Sequence, residues 1–320
     1  MPKFDVTTYG EGGLRLSVPA GTRLENALQF NVDVAGTEAN VVGALSHLGW
    51  RCSWISALAD TPPGRRVAHK LRSAGIDMSG VRWREQGRVS CYYVEYADPP
   101  RSTTVLYDRK ESCFAQCGPE DVDWSTLLDT RHLHLSGLTV PLSEKTGAVV
   151  AQAVERARRE GVTVSLDINH RDQLWSPDQC RNALLPLCRD VDLLFCSQRD
   201  AKHVFGCEAP ASQAIRDLRD LMGARTVVMS LGDQGVTALG ANGEYSAPAR
   251  PMVLRDRMGA GDALAAGVLH GWLRGDLARG LHYGCTMAAM AMSQYGDMVV
   301  THREELERLT ARELWKDIER

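Results

Sequence analysis

Hydrophobic positions along most of the chain follow two alternating periods. Short apolar runs typical of buried strands are followed by segments whose apolar residues recur every three or four positions, as on one face of a helix. In the clearest unit, a strand over 132–136 precedes a helix that begins after Ser143, a stop at Gly161 and a second strand over 162–168. A strand, a helix and a strand in this order predict a right-handed crossover between parallel strands.

The same alternation begins near Glu38 and continues through the rest of the chain. It predicts strands over 191–196 and 226–231, a helix between them over 211–222, a long helix from Gly261 and a terminal helix over 303–320. Strands that alternate with helices are typical of a mostly parallel sheet covered on both faces. The pattern therefore predicts an α/β fold.

Two segments depart from this alternation. Residues 11–34 and 89–108 carry a period of two with β-branched and aromatic side chains, and no helix is predicted inside either. Together they predict a small antiparallel sheet, inserted into the α/β domain and placed to act as a lid or as a contact between subunits. The alternative is two edge hairpins with no function of their own. Residues 1–320 are thus predicted to form a single domain with an inserted β lid.

Charge and composition narrow the possible partners. The 320 residues include 37 Lys and Arg against 40 Asp and Glu, for a net charge of -3, so the basic face that a nucleic acid or an anionic membrane requires is not expected. The chain has no apolar run of the ~18 residues that a membrane span needs, and its first residues lack the apolar core of a signal peptide, which predicts a cytoplasmic protein. Nine cysteines without a Cys-x-x-Cys pair predict neither a disulfide framework nor a zinc ribbon.

The strongest chemical signal is a Gly-Ala-Gly-Asp sequence at the start of the last long helix. Gly259, Ala260 and Gly261 leave unobstructed backbone N–H groups where the helix dipole favours negative charge, which predicts an anion hole for a phosphate. Asp262 directly after it would repel a bound phosphate, but it suits a base that deprotonates a hydroxyl attacking that phosphate. The alternative is a tight turn followed by a favourable first-turn acid. No Walker sequence is present, so the chain is not a P-loop enzyme.

Polar residues also cluster at the end of the strand predicted over 162–168. Asp167, Asn169 and Arg171 alternate to one face at its carboxyl end, where open α/β sheets bind ligands. The alternative for Arg171 is a surface ion pair. His132 and His134, at alternate positions of a buried strand, are predicted to be core residues rather than metal ligands.

Two longer segments resemble the signatures of a known family. Residues 256–267 look like the carboxyl-terminal signature of the PfkB, or ribokinase-like, carbohydrate kinases, and residues 35–49 resemble their amino-terminal signature, in which a diglycine precedes an Asn. The two lie more than two hundred residues apart, in the family's order, so the resemblance covers essentially the whole chain. It implies a three-layer α/β/α domain of the ribokinase-like fold with a mostly parallel sheet and a small β lid. Within the family, four segments look most like 2-keto-3-deoxygluconate kinases: residues 10–16, 132–139, 164–177 and 193–197.

The resemblance implies roles for the matching residues. Asp262 would be the general base, with the anion hole formed by Gly259, Ala260 and Gly261. The sugar would be bound by Gly36, Asn40, Tyr107, Arg109, Arg171 and Asp262, with Arg171 meeting a substrate carboxylate as a bidentate fork. The nucleotide would be bound by Ser230, Gly232, Gly235, Gly259, Gly261 and Cys285. Asp200 would organise magnesium through water.

Four positions depart from the family pattern. Ala35 replaces the first glycine of the diglycine and adds a methyl group to the pocket floor. Asp108 stands where 2-keto-3-deoxygluconate kinases have a Tyr, and it would repel a sugar acid unless Arg109 or Lys110 neutralises it. The family's Asn-x-x-Glu begins with Ser197 here and ends in Asp200, whose side chain is one methylene shorter than that of Glu.

The resemblance and the motifs together imply an ATP-dependent kinase for a sugar acid, with 2-keto-3-deoxygluconate as the favoured substrate. Its cofactors would be ATP and Mg²⁺, with a monovalent cation as a further candidate, and a homodimer or larger homo-oligomer would form through the β lid. Two alternatives stay open. One is a kinase for a neutral sugar such as fructose or ribose, and the other is a sugar and nucleotide sensor without catalysis.

Overall fold

The computed structural model describes residues 1–311, which form two sheets and two layers of helices. The strands are β1 (Phe4–Tyr9), β2 (Gly13–Val18), β3 (Asn31–Ala35), β4 (Cys52–Ala59), β5 (Val81–Arg84), β6 (Ser90–Glu95), β7 (Thr104–Asp108), β8 (Thr130–Ser136), β9 (Thr163–Asp167), β10 (Leu193–Ser197), β11 (Val227–Ser230), β12 (Val236–Gly240) and β13 (Gly243–Ala247). The helices are α1 (Thr37–His47), α2 (Pro62–Ser73), α3 (Trp124–Leu128), α4 (Glu144–Arg159), α5 (Pro177–Cys188), α6 (Gln198–Phe205), α7 (Ala211–Met222), α8 (Ala260–Trp272), α9 (Leu277–Met292) and α10 (Arg303–Ala311).

The large sheet has nine strands in the order β13-β12-β11-β10-β9-β8-β1-β4-β5. All neighbours from β11 to β5 pair in parallel, and only β12 and β13 at one edge are antiparallel. The strand order reverses between β1 and β8, because the chain first builds outward through β4 and β5 and then returns to the other side of β1. Such a reversal is where open α/β sheets bind ligands.

Helices cover both faces of this sheet. Neighbouring residues on one strand belong to different cores: Leu193 packs in the cluster with α1, α2, α8 and α9, whereas Leu194 packs in the cluster with α4, α5 and α7. Successive strand residues point to opposite faces, so the two cores lie on opposite sides of the sheet. The predicted three-layer α/β/α fold is therefore confirmed. No helix within residues 1–311 is long and apolar enough to cross a membrane.

Local signals place the helix ends where the sequence predicts them. The Ser143 hydroxyl accepts a hydrogen bond from the Thr146 backbone N–H at 3.1 Å, which caps α4, and Gly161 takes a positive φ of 72° directly after that helix. The predicted terminal helix is present as α10, and the rest of that prediction lies outside the described residues.

The small sheet contains four strands in the order β3-β2-β6-β7. They come from the two segments with a period of two, but the prediction of an entirely antiparallel sheet is wrong. β2 pairs with β6 in parallel, whereas β2 with β3 and β6 with β7 are antiparallel. Each segment supplies one hairpin, and the first strands of the two hairpins lie side by side. They leave the large domain in the same direction, so they run in parallel.

The two histidines of β8 are core residues. His132 and His134 are almost fully buried, and each has a ring nitrogen within 2.8 Å of the Ser165 hydroxyl on the adjacent strand. Burial lowers the pKa of both imidazoles to about 3, which keeps them neutral. Their shared contact with Ser165 supports the interpretation as core residues.

Candidate active site

A cavity of about 210 Å³ opens beside the carboxyl ends of β1, β8 and β9, between the large sheet and the small sheet. Its lining includes most of the residues predicted to bind sugar and to perform catalysis: Gly36, Asn40, Tyr107, Arg109, Arg171, Gly259, Gly261 and Asp262. A cavity of this volume suits a small molecule rather than a polymer. The structure thus brings together residues that lie more than two hundred positions apart in the sequence.

The anion-hole segment lies at the start of α8. Gly259 precedes the first helical residue and has a φ of 75°, which a side chain would disfavour. A Cβ atom at Gly259 would also overlap the Asp297 carbonyl oxygen, whereas one at Gly261 would meet nothing within 4 Å. The first N–H groups of α8 have no partner inside the helix. They are therefore available to an anion that approaches over Gly261.

Asp262 is held by two residues of α1. The Asn40 amide donates to Oδ2 at 2.7 Å, and the Thr37 hydroxyl donates to Oδ1 at 2.5 Å. Burial raises the pKa of Asp262, and these two hydrogen bonds, together with the charge of Arg171, act in the opposite direction. Thr37 was not predicted as a site residue, although its position three residues before Asn40 places both on one helix face.

A second cavity, of about 200 Å³, lies on the other side of Asp167 and Arg171. Both cavities are lined by Asp167, Asn169, Arg171 and Gly261. The second cavity adds Ser230 and Asp200, which were predicted to serve the nucleotide and magnesium. The two cavities thus meet at the amino end of α8.

Carboxylates are concentrated where the two cavities meet. Burial, with the charges of Asp262 and Asp200, raises the pKa of Asp167 to about 7. Asp200 is 7% exposed, and its backbone N–H donates to the Ser197 hydroxyl at 3.0 Å at the start of α6. Hard divalent cations prefer oxygen ligands, so the carboxylates of Asp167 and Asp200 fit a magnesium ion in chemical type.

Three arginines line the first cavity, and two of them differ in the partners of their guanidinium groups. The Nε of Arg109 donates to Glu11 at 2.6 Å, so its charge is already balanced by a buried carboxylate. Arg171 is exposed and donates to the His170 carbonyl oxygen at 2.8 Å. Arg257 also lines the cavity, although it was not predicted as a site residue.

The departures from the family pattern have local explanations. Asp108 forms an ion pair with Arg88 at 2.6 Å, so Arg88, rather than Arg109 or Lys110, neutralises it. Ala35 ends β3 and is 6% exposed, and it lies in the cavity lining beside Gly36.

Three predicted nucleotide residues lie away from these two cavities. Gly232 and Gly235 belong to a short turn between β11 and β12. Cys285 is 4% exposed within α9, and its Sγ is 3.7 Å from the Ala247 carbonyl oxygen. Their assignment to the nucleotide stays a prediction.

Comparisons with known proteins agree with this arrangement. The model of the pfkB family of carbohydrate kinases matches residues 11–304. A 2-dehydro-3-deoxygalactonokinase from Haloferax volcanii is 33% identical over 306 residues, which cover 95% of this chain and 96% of that protein. A 2-dehydro-3-deoxygluconokinase from Thermoproteus tenax is 32% identical, with 92% and 90% covered. The crystal structure of a 2-dehydro-3-deoxygluconokinase from Thermotoga maritima superposes with a TM-score of 0.90 at 28% identity, covering 97% of this chain and 98% of that one. The chain belongs to the pfkB family of carbohydrate kinases.

Proposed function

We propose that the protein is an ATP-dependent kinase that phosphorylates the terminal hydroxyl of a 2-keto-3-deoxy sugar acid. The observation that carries this proposal is the place of Asp262: it lines the first cavity, directly after the anion-hole segment and beside the junction with the second cavity. The relatives from Haloferax volcanii and Thermoproteus tenax are named for such substrates.

Asp262 acts as the general base. Its carboxylate takes the proton of the substrate hydroxyl while that oxygen attacks the γ-phosphorus, and the bond to the departing ADP oxygen breaks. Asn40 and Thr37 orient the carboxylate, and their hydrogen bonds favour its ionised form because they oppose the effect of burial on its pKa. Free N–H groups at Gly259–Gly261 stabilise the negative charge on the transferred phosphoryl group.

The substrate carboxylate is bound by arginine. Arg171 is the leading candidate, because the only described hydrogen bond of its guanidinium is to a backbone carbonyl, which leaves the rest of that group for a bidentate contact. Arg109 contributes less net charge, since Glu11 holds its Nε. Tyr107 lies beside Arg109, whose guanidinium carbon is 5.8 Å from the centre of the Tyr107 ring.

ATP occupies the second cavity, with its phosphates directed toward Gly261. Asp200 and Asp167 would hold Mg²⁺, directly or through water, and the ion would neutralise charge on the phosphates. The concentration of carboxylates at this point supports the assignment: burial and the repulsion by Asp262 and Asp200 raise the pKa of Asp167, and a cation would oppose both effects.

The small sheet is proposed to act as a lid and as the contact of a homodimer in the cytoplasm. Its outer strands expose apolar side chains: Val32 on β3 is 39% exposed and Leu106 on β7 is 51% exposed. A second copy covering these residues would remove them from water. Sedimentation analysis of Leu106→Asp tests this, since a dimer through the small sheet should dissociate and a dimer formed elsewhere should not.

A coupled ADP-release assay across substrate classes tests the function. The panel contains 2-keto-3-deoxygluconate, 2-keto-3-deoxygalactonate, fructose and ribose. We expect kcat/KM for at least one sugar acid to exceed that for both neutral sugars by at least roughly 100-fold, because a charge contact left without its partner costs about 2–5 kcal/mol. A neutral sugar as the best substrate would overturn the sugar acid assignment, and no ADP release with any member would overturn kinase activity.

A further inference from the structure

Arg15 is a buried cation on the small sheet. It lies in the middle of β2, which is paired on both sides, and it is 1% exposed. Arginine is seldom fully buried without a paired charge, because removing a guanidinium from water costs several kcal/mol. The residues that pair with Arg15 therefore indicate its role.

Both acidic partners of Arg15 belong to the large domain. One guanidinium nitrogen donates to Asp297 at 2.5 Å, and the other donates to Asp256. Two tyrosines from the other small-sheet segment, in or directly after β6, contact the same carboxylates: the Tyr92 hydroxyl donates to Asp297 at 2.5 Å, and the Tyr96 hydroxyl donates to Asp256 at 2.8 Å. The small sheet thus holds two carboxylates that lie 41 positions apart in the sequence.

Those two carboxylates shape the anion-hole segment. Asp256 lies three residues before Gly259, and its Oδ1 accepts a hydrogen bond from the Met258 backbone N–H at 3.1 Å. Asp297 packs its main chain directly against Gly259, where a Cβ atom would overlap its carbonyl oxygen. One guanidinium group therefore bridges the two segments that fix the backbone of Gly259.

Charge at this site points to the same role. Asp297 lines the sugar cavity with Asp262, and burial together with the charge of Asp262 raises the pKa of Asp297, whereas Arg15 lowers it. An anion hole flanked by uncompensated carboxylates would repel the phosphoryl group it must accept. Arg15 supplies the compensating charge without occupying the cavity, because it is absent from the cavity lining.

We propose that Arg15 is a positioning residue for phosphoryl transfer: it couples the docked small sheet to the geometry of the anion hole. The N–H groups that donate hydrogen bonds to the phosphoryl group then take up the geometry needed for transfer only when the small sheet contacts Asp256 and Asp297. The inference rests on the proposed kinase function, and it adds a residue of the small sheet to the machinery of transfer.

Steady-state kinetics of Arg15→Met, with Arg23→Met as the matched control, tests the proposal. Arg23 also belongs to the small-sheet segment and pairs with Glu95 at 3.0 Å, but Glu95 keeps a second partner in Arg101. We expect kcat of Arg15→Met to fall by about 100-fold, the loss that a small misplacement of reacting groups causes, while KM for ATP and for the sugar acid changes by less than about threefold. A folded Arg15→Met protein with the wild-type kcat would overturn the proposal, as would a loss confined to KM.

Hydrogen exchange of the substrate-free protein gives a readout that needs no turnover. Peptides covering residues 256–264 should exchange roughly tenfold faster in Arg15→Met than in Arg23→Met, because the loop has lost its bridge. Equal exchange in the two variants would overturn the proposal. If the wild type turns over no sugar acid, the proposed function fails, and the exchange result still decides whether Arg15 holds the loop.

Should Arg15→Met fail to fold, Arg15→Lys decides the matter. A lysine keeps the charge, but its compact ammonium lacks the planar fork that spans two carboxylates. We expect a folded protein with kcat reduced by roughly tenfold and KM little changed. Wild-type kcat together with wild-type exchange over residues 256–264 would contradict the proposal.

Discussion

The two ends of the segment from Asp256 to Asp262 carry carboxylates in opposite electrostatic situations. Asp256, with Asp297 beside it, is buried against the guanidinium of Arg15. Asp262 has no ion-pair partner among residues 1–311 and is held by two neutral donors, Asn40 and Thr37. Within six positions of the chain, one carboxylate, Asp256, is neutralised by an arginine, and another, Asp262, is not. These two ends are called the two halves of the segment.

This difference indicates a structural role for Asp256 and a catalytic role for Asp262. A carboxylate paired with a buried arginine is fixed, and its proton affinity is of little use to a reaction. A carboxylate whose burial raises its pKa, and which only hydrogen bonds restrain, is suited to take up a proton. We therefore expect changes at the Asp256 end to alter stability and activity together, and changes at the Asp262 end to alter activity alone.

The two glycines of the segment should show this contrast most strongly. Gly259→Ala places a methyl group against the Asp297 carbonyl oxygen at a positive φ, so we expect a loss of at least ~3 kcal/mol of stability and of about 100-fold in kcat. Gly261→Ala meets nothing within 4 Å and lies in the first turn of a helix, so stability should hold or rise by up to ~1 kcal/mol. Its methyl group faces both cavities, and activity should still fall.

Urea unfolding and the ADP assay on both variants measure these effects. Similar stability losses in Gly259→Ala and Gly261→Ala would contradict the division of the segment into two halves.

Arg171 is the arginine whose charge acts on Asp262, and its removal should weaken binding of the sugar acid selectively. In Arg171→Met, loss of a charged contact to the substrate carboxylate is expected to cost about 2–5 kcal/mol, which is a rise in KM for the sugar acid of roughly 100-fold. KM for ATP should change by less than about threefold. Arg225→Met is the control, because Arg225 is exposed and pairs with Asp192 at 3.1 Å outside both cavities. Equal loss with sugar acid and with fructose would contradict the role of Arg171.

A smaller effect is expected from the pH dependence of stability. The pKa of Asp167 is raised to about 7 in the folded protein, so between about pH 4 and 7 the folded state holds a proton that the unfolded state releases. Stability from this group is therefore present at low pH and is lost as the pH rises toward 7. Asp167→Asn, measured without magnesium, should raise the Tm at pH 8 by about 2 °C and leave it little changed at pH 4. A difference in Tm between variant and wild type that stays constant from pH 4 to pH 8 would contradict the raised pKa of Asp167.

The contrast between the halves also explains what could be predicted from the sequence. Asp262 and its glycines are adjacent in the chain, so their chemistry follows from local spacing. The large parallel sheet was predictable for the same reason, because each crossover unit carries its own strand and helix periods.

The remaining features depend on contacts between distant segments. Arg15, Asp256 and Asp297 come from three separate parts of the chain, and no local pattern indicates that they meet. The parallel pairing of β2 with β6 likewise depends on how two hairpins dock, which their alternation of polar and apolar residues does not specify. Arg88 as the partner of Asp108 was missed because the two are 20 positions apart in the chain, although they are adjacent in the fold.

The rate of phosphoryl transfer by Asp262→Asn in a single turnover tests most directly whether Asp262 is the base. Rapid quenching measures the chemical step, so the rate does not include product release. Asp217→Asn is the matched control, since Asp217 lies on the exposed face of α7 and accepts a hydrogen bond from Gln213 at 2.7 Å. We predict that Asp262→Asn transfers the phosphoryl group about 1000-fold more slowly, within the ~10²–10⁴-fold range of general-base catalysis, with ATP affinity within about threefold of the wild type. A variant that retains more than about a tenth of the wild-type rate would contradict the assignment of Asp262 as the base.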